Sequence, residues 1–155
     1  MPGQLKEEIK QRKRFTSLEQ EAQLGIVRTS ALLTHEFAEA LKPYRITRTQ
    51  YNVLRILRGA GETGLCRADV RARLVAQVPD VTRLLDRLEE MRLLSRGRDA
   101  ADRRLVTTRI TEKGMRVLAR LDRPVEQIHR RQLGHMSERH LRQLIDLLAE
   151  ARRAT

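Results

Sequence analysis

Thr82, Arg83 and Arg87 share one side of a short helical period, and their side chains define the first chemistry to consider. The stretch reads Val78-Pro79-Asp80-Val81-Thr82-Arg83-Leu84-Leu85-Asp86-Arg87-Leu88-Glu89-Glu90-Met91. Val81, Leu84, Leu85, Leu88 and Met91 recur at helical spacing and form one apolar face. At about 100° per residue, Thr82, Arg83, Asp86, Arg87 and Glu90 fall opposite. Arginine offers a forked donor that matches guanine O6 and N7, and threonine meets a base edge or a thymine methyl. Such a helix suits the major groove of duplex DNA. Pro79 fits the first helical position, where its missing N–H costs nothing. Asp80 then lies in the first turn, where the helix dipole favours a negative charge. Bare carboxylates beside phosphates would repel, so either Asp86 pairs with Arg83, and Glu90 with Arg87, at three-residue spacing, or both carboxylates tilt away from the DNA. In the first case Asp86 would orient Arg83 toward the bases. Taken alone, the stretch reads better as an ordinary amphipathic surface helix.

Its neighbours change that balance. A short helix is expected from about Arg67 to Leu74, with Val70 and Leu74 inward. The turn Val75-Ala76-Gln77-Val78 joins it to the Pro79 helix, the layout of a helix-turn-helix. After Met91, Leu93-Leu94-Ser95-Arg96 reads as a strand, and Leu105 to Ile110 as its return. Between them lies a polar tip carrying Arg98, Arg103 and Arg104. A hairpin in this place is a wing, and its arginines suit the negative potential of a minor groove.

Longer helices flank this core. Thr16 with Glu19, or Ser17 with Gln20, opens a helix whose apolar stripe runs from Leu18 to Leu41 and ends at Lys42-Pro43. Thr47 and Gln50 make a second capping pair, ahead of Tyr51, Val53, Leu54 and Leu57. Thr111 caps a helix with a seam at Leu118, Leu121, Val125 and Ile128, and Pro124 is expected to bend or split it. Ser137 opens a last helix with Leu141, Leu144, Ile145 and Leu148 expected inward. The outer helices carry more apolar surface than one small lobe needs, which points to a second copy of the chain.

Charge and composition narrow the classes. The 155 residues hold 32 Lys and Arg against 20 Asp and Glu, a formal net charge of +12, which calls for a polyanionic partner. Aromatics are 3% of the chain, too few for single-strand binding by base stacking. No apolar run reaches membrane-spanning length, and the first residues lack a signal peptide's apolar core, so a cytoplasmic protein without membrane contact is expected. No enzyme motif is present, and neither a cofactor nor a metal is expected: His35, His129, His135 and His140 show no ligand spacing. Cys66 is the single cysteine and sits at a helix start, where a thiolate is favoured; oxidant sensing is its sharper reading, a packed small residue its plainer one.

Taken in order, these segments carry a resemblance. Thr47-x-x-Gln50-x-x-Val53-Leu54, Val81 to Glu89, Arg98-Asp99-x-x-Asp102-Arg103-Arg104 and Ile110-Thr111-x-x-Gly114 together resemble the MarR family of winged helix-turn-helix regulators, over about Leu18 to Arg152. The resemblance implies a mainly α fold with a small β wing, and a homodimer on a pseudo-palindromic double-stranded operator. It implies recognition helices in successive major grooves and wing tips in the flanking minor grooves. The family's D-x-R wing pattern falls on Asp102 and Arg104, with Asp102 pairing to an arginine to position it. It also implies an effector pocket where the dimer helices meet each lobe, taking a small apolar or aromatic acid. The expected DNA-binding residues are Pro79, Thr82, Arg83, Arg87, Arg98, Asp102, Arg103 and Arg104. The expected organisation is an arm over 1–15 and one domain over 16–155, with a winged helix-turn-helix at about 45–111 and dimerisation helices at about 16–42 and 112–153. Cys66 stands where the family caps its third helix with Ser or Thr, and Arg71 stands where it has a small residue. The function so read is a sequence-specific transcriptional repressor released by an effector. The competing readings are a sequence-blind architectural DNA binder and an oxidant-sensing regulator acting through Cys66.

Overall fold

The computed structural model describes residues 4–99, 102 and 104–154. It divides into two compact units, Met1–Glu39 and Ala40–Thr155. In the first, a short helix α1 (Gln4–Glu8) precedes the long helix α2 (Leu18–Leu41), whose last residues belong to the second unit. Ser17 caps α2 by accepting the Gln20 N–H at 3.2 Å, while the Gln20 carboxamide accepts from the Thr16 N–H at 2.8 Å. Leu5 packs over Gly25, where an added Cβ would lie 3.9 Å from its side chain. Part of the basic N-terminal segment is therefore a packed helix. α2 ends at Leu41, one residue before Lys42-Pro43, and a 3-10 turn follows.

In the second unit, α3 (Arg48–Ala60) begins at the reciprocal box its sequence spells. Thr47 Oγ1 accepts from the Gln50 N–H at 3.2 Å, and Gln50 Oε1 accepts from the Thr47 N–H at 2.9 Å. Tyr51, Val53, Leu54 and Leu57 are buried along it. Then come β1 (Leu65–Cys66), α4 (Arg67–Arg73), α5 (Val81–Glu90), β2 (Leu94–Arg98), β3 (Val106–Ile110), α6 (Glu112–Leu133) and α7 (Glu138–Ala151). The strands form an antiparallel sheet in the order β1-β3-β2, with Leu94 opposite Ile110 and Arg98 opposite Val106. The wing is thus a three-stranded sheet, not a free hairpin. β1 is two residues long, too short for any periodic signal. Gly64 lets it dock: its φ is +67°, and a Cβ there would lie 2.6 Å from the Thr108 carbonyl oxygen.

The core of this unit joins α3, α4, α5, the sheet and α6. Leu54, Leu57, Val70, Leu88 and Leu118 are fully buried, and Leu85, Leu93, Leu94 and Leu121 nearly so. Pro124 does not split α6, which runs unbroken from Glu112 to Leu133. Its flanking residues Leu121 and Val125 are both buried, and that packing carries the helix across the missing hydrogen bond. α7 differs from the expectation more strongly. None of its residues is buried: Leu141, Leu144 and Leu148 are half-buried, and Ile145 is 64% exposed. No described helix is long and apolar enough to cross a membrane.

Candidate nucleic-acid interface

The start of α5 is set by a side chain. Asp80 is extended (φ −134°), and its carboxylate accepts the Arg83 N–H at 2.9 Å. The helix therefore begins at Val81, and Pro79 lies outside it, one residue before the cap. This corrects the expected first-position proline. A carboxylate cap fills an orphan donor, so the start shifts to the residue after Asp80. At the other end the Leu93 N–H donates to the Leu88 carbonyl at 2.9 Å, and the Arg92 N–H to that of Glu89 at 2.8 Å. That closure needs a left-handed residue, and Arg92 supplies it at φ +59°. Between these ends Val81, Leu85 and Leu88 are buried, while Thr82, Arg83, Arg87 and Glu90 are exposed.

The start of α6 seals the turn between α5 and β2. The Thr111 N–H donates to the Leu93 carbonyl at 3.1 Å, and its hydroxyl to the Arg92 carbonyl at 2.7 Å. Gly114 lies so close that an added Cβ would sit 2.3 Å from the Leu93 oxygen. The Ile110-Thr111-x-x-Gly114 motif thus joins the helix to the wing.

Arg96 of β2 makes that joint directional. Its Nε donates to Glu89 Oε2 at 2.9 Å, its Nη2 donates to Asp86 Oδ1 at 2.6 Å, and its backbone N–H donates to Glu89 Oε1 at 3.0 Å. The Arg96 side chain is only 25% exposed. Its hydrogen bond holds the Glu89 carboxyl below the usual glutamate range, and the same bond raises the Arg96 guanidinium. Asp86 therefore pairs with Arg96, not with Arg83. The wing strand lies beside α5 and offers a guanidinium that bridges two carboxylates, which a helix neighbour at three-residue spacing does not. Glu90 does not pair with Arg87 either. Among the described residues, the side chains of Arg83 and Arg87 make no hydrogen bond or ion pair.

On the wing, Arg98 and Arg104 are exposed, again with no side-chain partner among the described residues. Asp102 acts on the backbone: its carboxylate accepts the Arg104 N–H at 2.9 Å, and its carbonyl accepts the Leu105 N–H at 3.0 Å. It shapes the tip by these bonds, and among the described residues its carboxylate makes no ion pair with an arginine. Arg103 lies outside the described residues. Thr82 and Arg104 line one cleft of about 460 Å³, together with Arg67, Arg96, Val106 and Thr108. The structure thus brings one helix residue and one wing residue of the expected set to a single cleft.

Residues 36–121 match the family model described as transcriptional regulator SarA/Rot. A MarR transcription factor from Planctomyces limnophilus is similar in both sequence and structure, at 38% identity over 88% of this chain and 98% of that one, with a TM-score of 0.66. The chain belongs to the MarR family. It is a winged-helix transcriptional regulator. Two further MarR-like folds are the S. aureus MepR–DNA complex (22% identity, 92% and 100% coverage, TM-score 0.77) and Bordetella bronchiseptica BpsR, whose DNA binding is regulated by 6-hydroxynicotinic acid (24% identity, 90% and 97% coverage, TM-score 0.76).

Two departures of this MarR-family chain have visible consequences. Cys66 stands at the cap position of α4 but makes no capping bond; its thiol instead donates to Asp69 Oδ2 at 3.1 Å. Arg71 lines an open cleft with Leu74, Gln77 and Pro79. Arg67 and Arg96 escaped sequence reasoning. The signal for Arg96 was present, since strand alternation puts it on the same face as buried Leu94, and an inward arginine needs a carboxylate.

Proposed function

We propose that this regulator is a homodimeric, sequence-specific double-stranded DNA-binding repressor, released by a small apolar or aromatic acid. The observation that carries the reading is the state of α5. Its two outward arginines are unpaired among the described residues, while Asp86 and Glu89 are both held by Arg96, which offsets one of their two negative charges and turns them toward the wing strand. A helix face in that state attracts phosphates and leaves Arg83 and Arg87 free for base edges. Thr82 and Arg83 read bases, Arg87 meets bases or phosphate, Pro79 sits at the groove's edge, and Asp102 shapes a tip from which Arg98, Arg103 and Arg104 enter the minor groove. The winged helix-turn-helix over about 45–111 is the reading part, and the helices at about 16–42 and 112–153 pair two copies. The exposed Leu18, Ile26, Val27 and Leu32 of α2, and Ile145 and Leu147 of α7, support the pairing. The ligand-regulated relative supports effector release.

The test is a competition between selected and random duplexes. A specific repressor binds its site roughly 10³–10⁷ times more tightly. Arg83→Ala should cost ~1–3 kcal/mol on the selected site and relax one base position. Equal loss on random DNA would favour an architectural protein. Titrating small aromatic acids into the complex tests release: unchanged operator affinity across the series rejects it.

A further inference from the structure

Arg67 opens α4, and its Nη1 donates to Thr82 Oγ1, fifteen residues later in α5, at 2.9 Å. Both ends of this bond are anchored. The residue before Arg67 is held in the sheet, where Cys66 pairs with Thr107. Thr82 is the second residue of α5, behind the Asp80 cap and beside buried Val81. Among the described residues Arg67 makes no ion pair, so its charge is not spent on a carboxylate. Arg67 and Thr82 line the same cleft as Arg104.

The bond biases what Thr82 can do. A hydroxyl has one proton and two acceptor lone pairs. With a guanidinium on one lone pair, the proton turns away from the cation, and the positive charge opposes the approach of a second donor. The outward-facing capacity that remains is donation. In the major groove guanine N7 and O6, adenine N7 and thymine O4 accept, whereas cytosine N4 and adenine N6 donate. We propose that Arg67 is a specificity-determining positioning residue: it fixes the Thr82 hydroxyl as a donor and so selects an acceptor edge, against a cytosine amino group, at the base Thr82 meets. The inference rests on the reading of α5 as the base-reading helix.

The experiment uses the full chain. Fragments are selected from random duplex DNA, and every single-base substitution of the enriched site is then measured with wild type, Thr82→Val, Arg67→Met, Arg67→Lys and the Arg67→Met/Thr82→Val double variant. Thr82→Val should flatten the preference at one base pair per half-site. Arg67→Met should flatten the same pair by about fivefold, the double variant should flatten it no further, and Arg67→Lys, which keeps a donor, should restore it. If Arg67→Met weakens all sequences alike and leaves that preference intact, Arg67 is only a phosphate contact and the proposal is overturned. It is equally overturned if Thr82→Val flattens no position. Failure to enrich any fragment is a different result, and sinks the reading of α5 itself.

Discussion

Helices α5 and α7 carry the same kind of sequence and meet different fates. Each opens with a side-chain cap, Asp80 onto the Arg83 N–H and Ser137 onto the His140 N–H. Each has apolar residues at helical spacing and arginines on the other face. Yet α5 buries Val81, Leu85 and Leu88, and α7 buries nothing. The difference lies outside both helices. α5 lies against β2, is sealed by the start of α6, and is clamped by Arg96. α7 leaves Leu141, Leu144 and Leu148 only half-buried and Ile145 and Leu147 exposed. Amphipathicity states that a face must be covered; it does not state by what.

This contrast can be broken by mutation. Leu88→Ala, at a fully buried position, should lower the unfolding free energy by about 2–5 kcal/mol at every protein concentration, as read by urea titration. Ile145→Asp should instead act through association. It should raise the dimer dissociation constant by tenfold or more in sedimentation equilibrium, with little change in the unfolding of dilute protein. If Ile145→Asp destabilises as Leu88→Ala does at all concentrations, α7 is packed within its own chain and the contrast fails.

Arg96→Gln probes the clamp. It leaves Asp86 and Glu89 uncompensated on a helix read as facing phosphate. Because these groups are partly exposed, the stability loss should be about 1 kcal/mol or less. Affinity for duplex DNA should fall more, and neutralising Glu89 and Asp86 in the same chain should restore part of it. The clamp is also pH-linked. The Glu89 carboxyl lies below its ordinary range because of the Arg96 bond, so its stabilisation is complete at neutral pH. It is lost as pH falls below the ordinary glutamate range, about pH 4. Asp122, held down by the Arg58 guanidinium at 2.9 Å, behaves the same way. Glu89→Gln should flatten the acid side of the stability profile, and an unchanged profile would show that the pair contributes nothing. The smallest effect is expected at Arg92. Its left-handed conformation costs a non-glycine residue about 1 kcal/mol, so Arg92→Gly should raise stability by up to that amount in thermal melts.

Much of the lobe was legible before any coordinates. The Thr47–Gln50 box, the stop before Pro43 and the buried seam of α6 follow from short-range signals and stand where the residues say, whereas the first wing strand runs on through Gly97 and Arg98, which read as part of the tip. The errors are also local in kind. Pro79 suits a first helical position, but the Asp80 carboxylate takes the capping role and leaves the proline outside α5. Of the bend or split that Pro124 suggests, the split does not occur: α6 is continuous, with Leu121 and Val125 buried around the proline. Leu141, Leu144, Ile145 and Leu148 share a face as read; within one chain Leu141, Leu144 and Leu148 are half-buried and Ile145 is exposed.

The sequence by itself determined which of the longer segments become helices and strands, which side of each is apolar, and that the molecule carries a large excess of arginine. Those properties depend on capping bonds and on residues within one or two turns. Tertiary structure decided the rest: that Arg96 and not Arg83 holds Asp86, that Arg67 reaches Thr82, and that a two-residue strand completes the sheet. Each of those is a contact between segments distant in the chain, made only after the fold has brought two backbones together, and no local period encodes it.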